Sequence, residues 1–373
     1  MSSVAITGGY GFLGWHLACR LRAVDGVESV RLGRAEFADP SQLVEALAGV
    51  ETIYHLAGVN RAESDEAVER ENLAVAQALA AAVTAAGRPV HVVYGNSIQA
   101  RVDSAYGRGK AGGAQILTHS LERVGGTFTD IVLPNLFGEH GRPAYNSFVA
   151  TFCHEIAHGR RPQVTGDKPV RLLHAQAAAQ TLMSAAAKLA GSQVAPGGEE
   201  HLVSEVLQRI ERCHELYAEG EVPPLSDPFS TDLFNTYRSH VFPQHFPFPV
   251  EVRRDNRGDL FEAVRAHGGT GQTFVSTTVP GATRGDHYHL RKFERFFVVK
   301  GDAEIALRRI YHDDIVRFRL RGDEPSFVDM PTLWVHNITN VGDSELVTMF
   351  WTDQLLDPAH PDQYPERVEE SCP

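Results

Sequence analysis

Apolar residues in the first 200 positions come in short runs that alternate with helical periods. "SVAITG" is an apolar run ending in glycine, and "FLGWHLACRLR" behind it has helical spacing. "SVRLGR", "VETIYHLAG", "PVHVVYGNS" and "TFTDIVLPNLFG" repeat the first texture, with helical stretches between them. Strand and helix periods in alternation predict a parallel sheet with helices on both faces. Residues 201–218, "HLVSEVLQRIERCHELYA", predict an amphipathic helix. The stretch "VPPLSDPFSTDLFNTYRSHVFPQHFPFPVEV" is rich in proline and aromatic residues. It reads as a connector that packs on both flanking parts, with the boundary near 245.

Beyond that point the texture changes. In "IVRFRL", Val316, Phe318 and Leu320 alternate with Arg317 and Arg319. "AEIALRRI" and "ELVTMFWT" are further short strands, and "KGD", "RGDE" and "VGDS" supply turns between them. Helical periods are absent, which predicts an all-β barrel or jelly roll. The expected organisation is an α/β domain over 1–245 and an all-β domain over 246–373.

A length of 373 residues suits two such domains. The formal net charge of −12 disfavours a nucleic-acid partner. Cys19, Cys153, Cys213 and Cys372 are scattered without a CxxC pair, as expected in a reducing compartment. "MSSVAITGG" runs straight into a strand, so no signal peptide is expected. The Ala-rich run at 73–86 holds no apolar span of about 20 residues, so no membrane helix is expected either. These features point to a cytoplasmic enzyme.

Two stretches carry chemistry. "TGGYGFLG" places Thr7, Gly8, Gly11 and Gly14 between a strand and a helix. That spacing lets the backbone turn tightly and approach a pyrophosphate at the helix N-terminus. "SAYGRGK" places Tyr106 and Lys110 one helical turn apart, and Ser97 closes the preceding strand. An ammonium beside a phenol lowers its pKa, and a serine hydroxyl can polarise a carbonyl. Together they would pass a proton to a ketone oxygen while NAD(P)H delivers hydride. "SVRLGR" ends in Arg34 with no acid before Glu36, which favours NADPH over NADH. The second stretch is "GDHYHLRKFE", where His287 and His289 alternate on a strand and Glu294 follows a turn, three sides of a metal cage. "HEIAH" at 154–158 spells a zinc-protease motif, but no third ligand motif follows it. It reads as a partly exposed helix.

The glycines, Ser97 and the Tyr106–Lys110 pair, in this order, resemble the extended short-chain dehydrogenase/reductases. "HLAG" at 55–58, "PNLFG" at 134–138 and Asn72 in "ENLAVAQAL" are similar to that family as well. The resemblance implies a Rossmann-type sheet with Ser97, Tyr106 and Lys110 as catalytic residues. It implies cofactor contacts from Thr7, Gly8, Gly11, Phe12, Leu13, Gly14, Arg34, Leu56, Ala57, Gly58, Asn72, Tyr106 and Lys110, and a substrate contact from Asn135. Ile98 and Gln99 follow Ser97 where 4,6-dehydratases carry an Asp-Glu pair, which disfavours dehydration.

"GATRGDHYHLRKFERFFVVKG" resembles the first cupin motif, and "PTLWVHNITN" the second. The resemblance completes the ligand set as His287, His289, Glu294 and His336, suited to a divalent metal, zinc foremost. Leu333 stands where cupins often have glycine, so the turn before His336 is expected to differ. "DNRGDLFEA" resembles an element of deoxysugar-nucleotide 3,5-epimerases, which implies that Arg257 holds nucleotide phosphate. Tyr288, Lys300, Tyr311, His312 and Asp313 are open as candidates for the cupin base.

A reductase followed by a cupin resembles the bifunctional enzymes of bacterial capsule biosynthesis of the CapF type, over nearly the whole chain. The resemblance implies C3 epimerisation of a UDP-linked 4-keto-6-deoxy-N-acetylhexosamine by the cupin, then C4 reduction with NADPH. It also implies a homodimer through the β domain. The chain departs from the pattern at Tyr94-Gly95-Asn96, at "LLHAQAAA" over 172–179, and at Leu133. The alternatives are a nucleotide-sensing regulator with a ligand-binding cupin, and a metal-dependent oxygenase carrying a reductase.

Overall fold

The computed structural model describes residues 3–188 and 191–370, and Cys372 lies outside them. Packing divides the chain into two compact units, residues 1–137 with 169–201 and residues 138–168 with 202–373. They interleave along the sequence and do not follow a single cut near 245.

In the first unit all five expected apolar runs form strands. Among the described residues the sheet order is Val30–Leu32, Val4–Thr7, Thr52–His55, His91–Ser97, Thr127–Leu133 and Gln193–Val194, with every neighbour parallel. Val4–Thr7 is buried throughout, as a strand covered on both faces must be. The chain steps outward from Val4–Thr7 to Val30–Leu32, then returns to Thr52–His55 on the other side. This reversal opens a crevice beyond the carboxyl ends of the two inner strands, where open α/β sheets bind ligands. On one face, helices Asp65–Ala86 and Ala105–Val124 pack closely against each other. Gly109 permits that approach: a Cβ there would lie 2.9 Å from the Asn72 Cβ.

The second unit holds two antiparallel five-stranded sheets. One runs Phe248–Pro249, Ser326–Met330, Glu294–Lys300, Leu346–Thr352 and Gln272–Thr278. The other runs Ile315–Arg321, Asp302–Arg309, Trp334–Asn340, Thr283–Tyr288 and Tyr364–Pro365. Phe296, Phe297, Ile305, Leu307, Phe327 and Val335 are buried among them.

The expected connector holds a helix, Pro228–Val241. Asp227 caps it by accepting from the Ser230 N–H at 2.8 Å, and Pro228 fits the first turn because it has no N–H to lose. This helix and Val203–Ala218 pack within the second unit, not as a tether. The Tyr217 hydroxyl donates to Asp329 at 2.9 Å, Arg238 to the Met330 carbonyl at 2.6 Å, and Asn235 to the Arg291 carbonyl at 2.8 Å. Asp329 also forms a fully buried ion pair with Arg295 at 2.7 Å. "HEIAH" ends helix Phe148–Ala157, where the His154 and His158 rings lie 4.1 Å apart. They belong to no convergent ligand set among the described residues.

Candidate active sites

At the sheet crevice, helix Phe12–Asp25 starts from Gly11 without a side-chain cap, which leaves its first amides open to an anion. The Gly11 N–H donates to the Gly8 carbonyl at 2.9 Å and closes the turn. A Cβ on Gly14 would fall 2.2 Å from that carbonyl, so the turn requires glycine there. Phe12 and Leu13 are partly buried in the first helical turn. Thr7 ties the neighbouring strand to the turn: its hydroxyl bonds His55 Nδ1 at 2.6 Å and accepts from the Ala57 N–H at 3.3 Å. The Leu56 N–H donates to the Thr7 carbonyl at 3.1 Å. Asn72 steadies the segment after Gly58, donating to the Val59 carbonyl at 2.7 Å and accepting from the Val59 N–H at 3.1 Å.

Ser97 ends the strand, and its hydroxyl accepts from the Gln99 N–H at 3.2 Å. Tyr106 and Lys110 project from helix Ala105–Val124, and the Tyr106 hydroxyl is hydrogen-bonded to Ser97. Burial pushes the Tyr106 pKa up and the bond to Ser97 opposes it. The expected lowering by Lys110 is therefore not seen. Burial brings Lys110 itself down to about 7, so its charge is only partial at neutral pH. Lys110 donates to the Gly95 carbonyl at 2.7 Å, and its Nζ lies 4.1 Å from the Tyr94 ring centre. Of the departures at 94–96, the Tyr94 side chain thus contacts the lysine directly, while residue 95 contributes its main-chain carbonyl. Arg34 is exposed at the start of helix Arg34–Ala38, while Glu36 turns back to accept from the Gly33 N–H at 2.6 Å. Asn135 is also exposed and donates to the Arg171 carbonyl at 3.3 Å.

In the second unit His287, His289, Glu294 and His336 converge, with one ligand atom from each lying within 4.8 Å of the others. His287 pairs directly with His336 across two strands. His289 is not on the strand with His287, because Thr283–Tyr288 ends before it. A register shift at Asp286, whose φ is 56°, turns the chain so that both rings still face inward. Leu333 adopts a φ of 65°, the left-handed region that glycine favours, so the turn keeps the glycine shape despite the leucine. Its N–H donates to the His289 carbonyl at 2.8 Å.

The chemistry of this cluster fits a divalent cation. The Nε2 atoms of all three histidines are buried without a hydrogen-bond partner. Each lies 3.0 to 3.8 Å from Glu294 Oε2, within ion-pair range but without hydrogen-bond alignment. Buried polar atoms without partners are rare, and three aimed at one point suit a metal better than one another. Nδ1 of His336 meets the Trp334 carbonyl at 3.1 Å, and Nδ1 of His289 meets the Asp362 carbonyl, which leaves each Nε2 facing the cluster. Burial presses Glu294 towards protonation, but His289, His287 and His336 outweigh it and hold its carboxyl well below the usual range. A cavity of about 250 Å³ opens on the cluster, lined by His287, Glu294, Arg284, Lys292, Phe274 and Phe350 among others.

The NAD dependent epimerase/dehydratase family model matches residues 4–194, just over half the chain. The chain belongs to that family. Residues 253–364 match the model of the polysaccharide biosynthesis C-terminal domain. The chain is 32% identical over 365 residues to a UDP-2-acetamido-2,6-beta-L-arabino-hexul-4-ose reductase of Pseudomonas aeruginosa, with 97% of each chain covered. The crystal structure of the capsular polysaccharide assembling protein CapF from Staphylococcus aureus is 30% identical and covers 98% of this chain and 100% of its own, with a TM-score of 0.61. A UDP-N-acetylglucosamine 4-epimerase from Bacillus cereus shares the fold of the first part, with a TM-score of 0.51 at 20% identity. That structure covers 58% of this chain, which covers 82% of it. The resemblance to CapF-type enzymes stated from the motifs therefore holds: a Rossmann-type enzyme with a nicotinamide cofactor, continued by a jelly roll. No helix among the described residues is long and apolar enough to cross a membrane.

Two cavity residues went unrecognised in the sequence. Lys292 is almost fully buried, with Nζ 3.3 Å from Glu294 Oε1. Arg284 is anchored by the Thr278 hydroxyl at 3.0 Å and the Thr277 carbonyl at 2.9 Å. Their proximity to the ligands within "TRGDHYHLRKFE" was the available clue. Tyr288, Lys300, Tyr311, His312 and Asp313 are not among the lining residues. Tyr288 packs against Tyr364 instead, with ring centres 5.5 Å apart. Arg257 lies on the exposed hairpin formed by Val252–Asp255 and Gly258–Phe261, folded onto its own Asp255, and does not line the cavity.

Proposed function

We propose that the jelly-roll unit epimerises C3 of a UDP-linked 4-keto-6-deoxy-N-acetylhexosamine and that the Rossmann unit reduces the C4 ketone with NADPH. The product would lie on a route to UDP-N-acetyl-L-fucosamine for surface polysaccharide. The observation that supports this is the presence, in one chain, of a Ser97–Tyr106–Lys110 set and a convergent His287–His289–Glu294–His336 cluster beside a cavity. The arabino-hexulose reductase named for the Pseudomonas relative supports the substrate class.

In the reductase, the glycine turn from Gly8 to Gly14 would hold NADPH, which would supply hydride to C4, and Tyr106 would give its proton to the ketone oxygen. Ser97 hydrogen-bonds that oxygen, and Lys110 supplies partial positive charge beneath it. Arg34 would donate hydrogen bonds to the 2′-phosphate that distinguishes NADPH. In the cupin, His287, His289, Glu294 and His336 would hold zinc or another divalent cation, which would stabilise negative charge at the C4 oxygen. Lys292 and Arg284 add two cations to the same cavity, where charge develops as the C3 proton leaves. A basic group in the cavity would take that proton, and a proton exchanged with solvent would be delivered to the opposite face. Reduction then traps the inverted ketone.

We also propose a homodimer through the β unit, because edge strand Gln272–Thr278 exposes Phe274 and Val275, and a cytoplasmic location, which the scattered cysteines support. Incubation with a UDP-4-keto-6-deoxy sugar in D₂O, with and without NADPH, tests the two activities by NMR. Deuterium should enter C3 without NADPH, and the C4 alcohol should appear with it. Oxygen consumption without deuterium incorporation would favour an oxygenase instead.

A further inference from the structure

Between the ligands His289 and Glu294 the chain runs as a short loop, and a residue some 70 positions away holds it. Asp362 Oδ1 accepts from the Leu290 N–H at 3.0 Å. Its Oδ2 accepts from the Arg291 N–H at 3.0 Å and the Lys292 N–H at 2.7 Å. The next amide, Phe293, donates to Asp353 at 2.8 Å. Four consecutive N–H groups are thus satisfied by two carboxylates. The backbone carbonyl of Asp362 also takes the Nδ1 hydrogen bond of His289. Asp362 has a φ of 43°, a left-handed conformation that aspartate and asparagine tolerate better than most residues. One residue therefore grips the loop with its side chain and orients a ligand ring with its backbone.

We infer that Asp362 is a positioning residue for the metal centre: it fixes the His289 tautomer and the path of the 290–292 loop. The inference rests on the proposed metal site. Three consequences follow from the geometry. With Nδ1 of His289 committed as donor to Asp362, Nε2 is the basic nitrogen that faces the cage. The loop amides, tied to a carboxylate, keep His289 and Glu294 at a constant separation. The bond to the Lys292 N–H places that residue so that its Nζ reaches Glu294 Oε1 at 3.3 Å. The same segment continues into strand Tyr364–Pro365, which pairs with His287 and Tyr288, so the tail braces both sides of the HxH turn.

The test uses the full-length protein with Asp362→Asn, Asp362→Ala and Asp362→Gly. Cobalt(II) uptake is measured by chelator competition and by the visible d–d spectrum, with circular dichroism to confirm folding. Asp362→Asn keeps the shape but turns an amide NH₂ towards backbone donors. Its cobalt affinity should fall roughly 10–100-fold, the scale for lost outer-shell partners, with a changed spectrum. Asp362→Gly tolerates the backbone angle without the carboxylate and should lose as much as Asp362→Ala. NADPH affinity should stay unchanged in all three. Wild-type cobalt affinity in the folded variants overturns the role of Asp362 while leaving the metal site standing. Failure of the wild-type protein to take up any cobalt removes the metal site and this inference with it.

Discussion

The Nζ of Lys110 stands 4.1 Å from the centre of the Tyr94 ring, over a face rich in electron density. The ring and the Gly95 carbonyl replace the water that burial removes. The replacement is incomplete, since the lysine pKa still falls to about 7.

That value sets a pH dependence. An unfolded lysine keeps its proton to about 10.4, whereas the buried one releases it near 7. Between these values the unfolded chain holds more protons, so stability rises with pH across this window. Below it both forms are protonated and the burial penalty is complete. Urea denaturation of the cofactor-free protein from pH 6 to pH 9 should show the rise, and Lys110→Met should flatten it. Equal slopes in the two proteins would remove Lys110 as the source.

Tyr106→Phe should lose NADPH oxidation by about a hundredfold or more, because the proton donor is gone. Deuterium exchange at C3 should survive, since it belongs to the other unit. A folded variant that loses both activities contradicts the assignment.

Arg34→Ala should erode the preference for NADPH over NADH by roughly 1–3 kcal/mol, the scale of a hydrogen bond to a charged group. Paired kcat/KM values for the two cofactors measure this. An unchanged ratio would identify Arg34 as a bystander.

His289→Ala and His336→Ala should each empty the metal site by elemental analysis, and the double variant should be no worse than either, because the residues act as one unit. C3 exchange should stop in all three. Exchange at the wild-type rate in a folded, metal-free variant would leave the cage a scaffold.

Asp329→Ala should destabilise the second unit by about 3–5 kcal/mol, since it leaves the fully buried Arg295 charge uncompensated. The Tyr217 hydroxyl loses its acceptor as well. Denaturant midpoints followed by tryptophan fluorescence provide the measure, and an unmoved midpoint would show that solvent reaches the arginine.

Local pattern determined much of this protein. Strands and helices were legible because periods of 2 and 3.6 residues are properties of neighbouring positions. The phosphate turn, the Tyr106–Lys110 pair and the order of His287, His289, Glu294 and His336 were legible because each motif needs its residues at set spacings. The helix Pro228–Val241 had its cap in plain view at Asp227, but the surrounding prolines and aromatics concealed it. Tertiary structure alone decided the rest. It put Tyr94 beneath Lys110, kept Leu333 in a glycine's conformation and directed Lys292 into the cavity. It also assigned helices Phe148–Ala157, Val203–Ala218 and Pro228–Val241 to the second unit and bound Asp362 to the ligand loop. These outcomes depend on burial and on hydrogen bonds between residues far apart in sequence, and such partners leave no period or spacing in the chain.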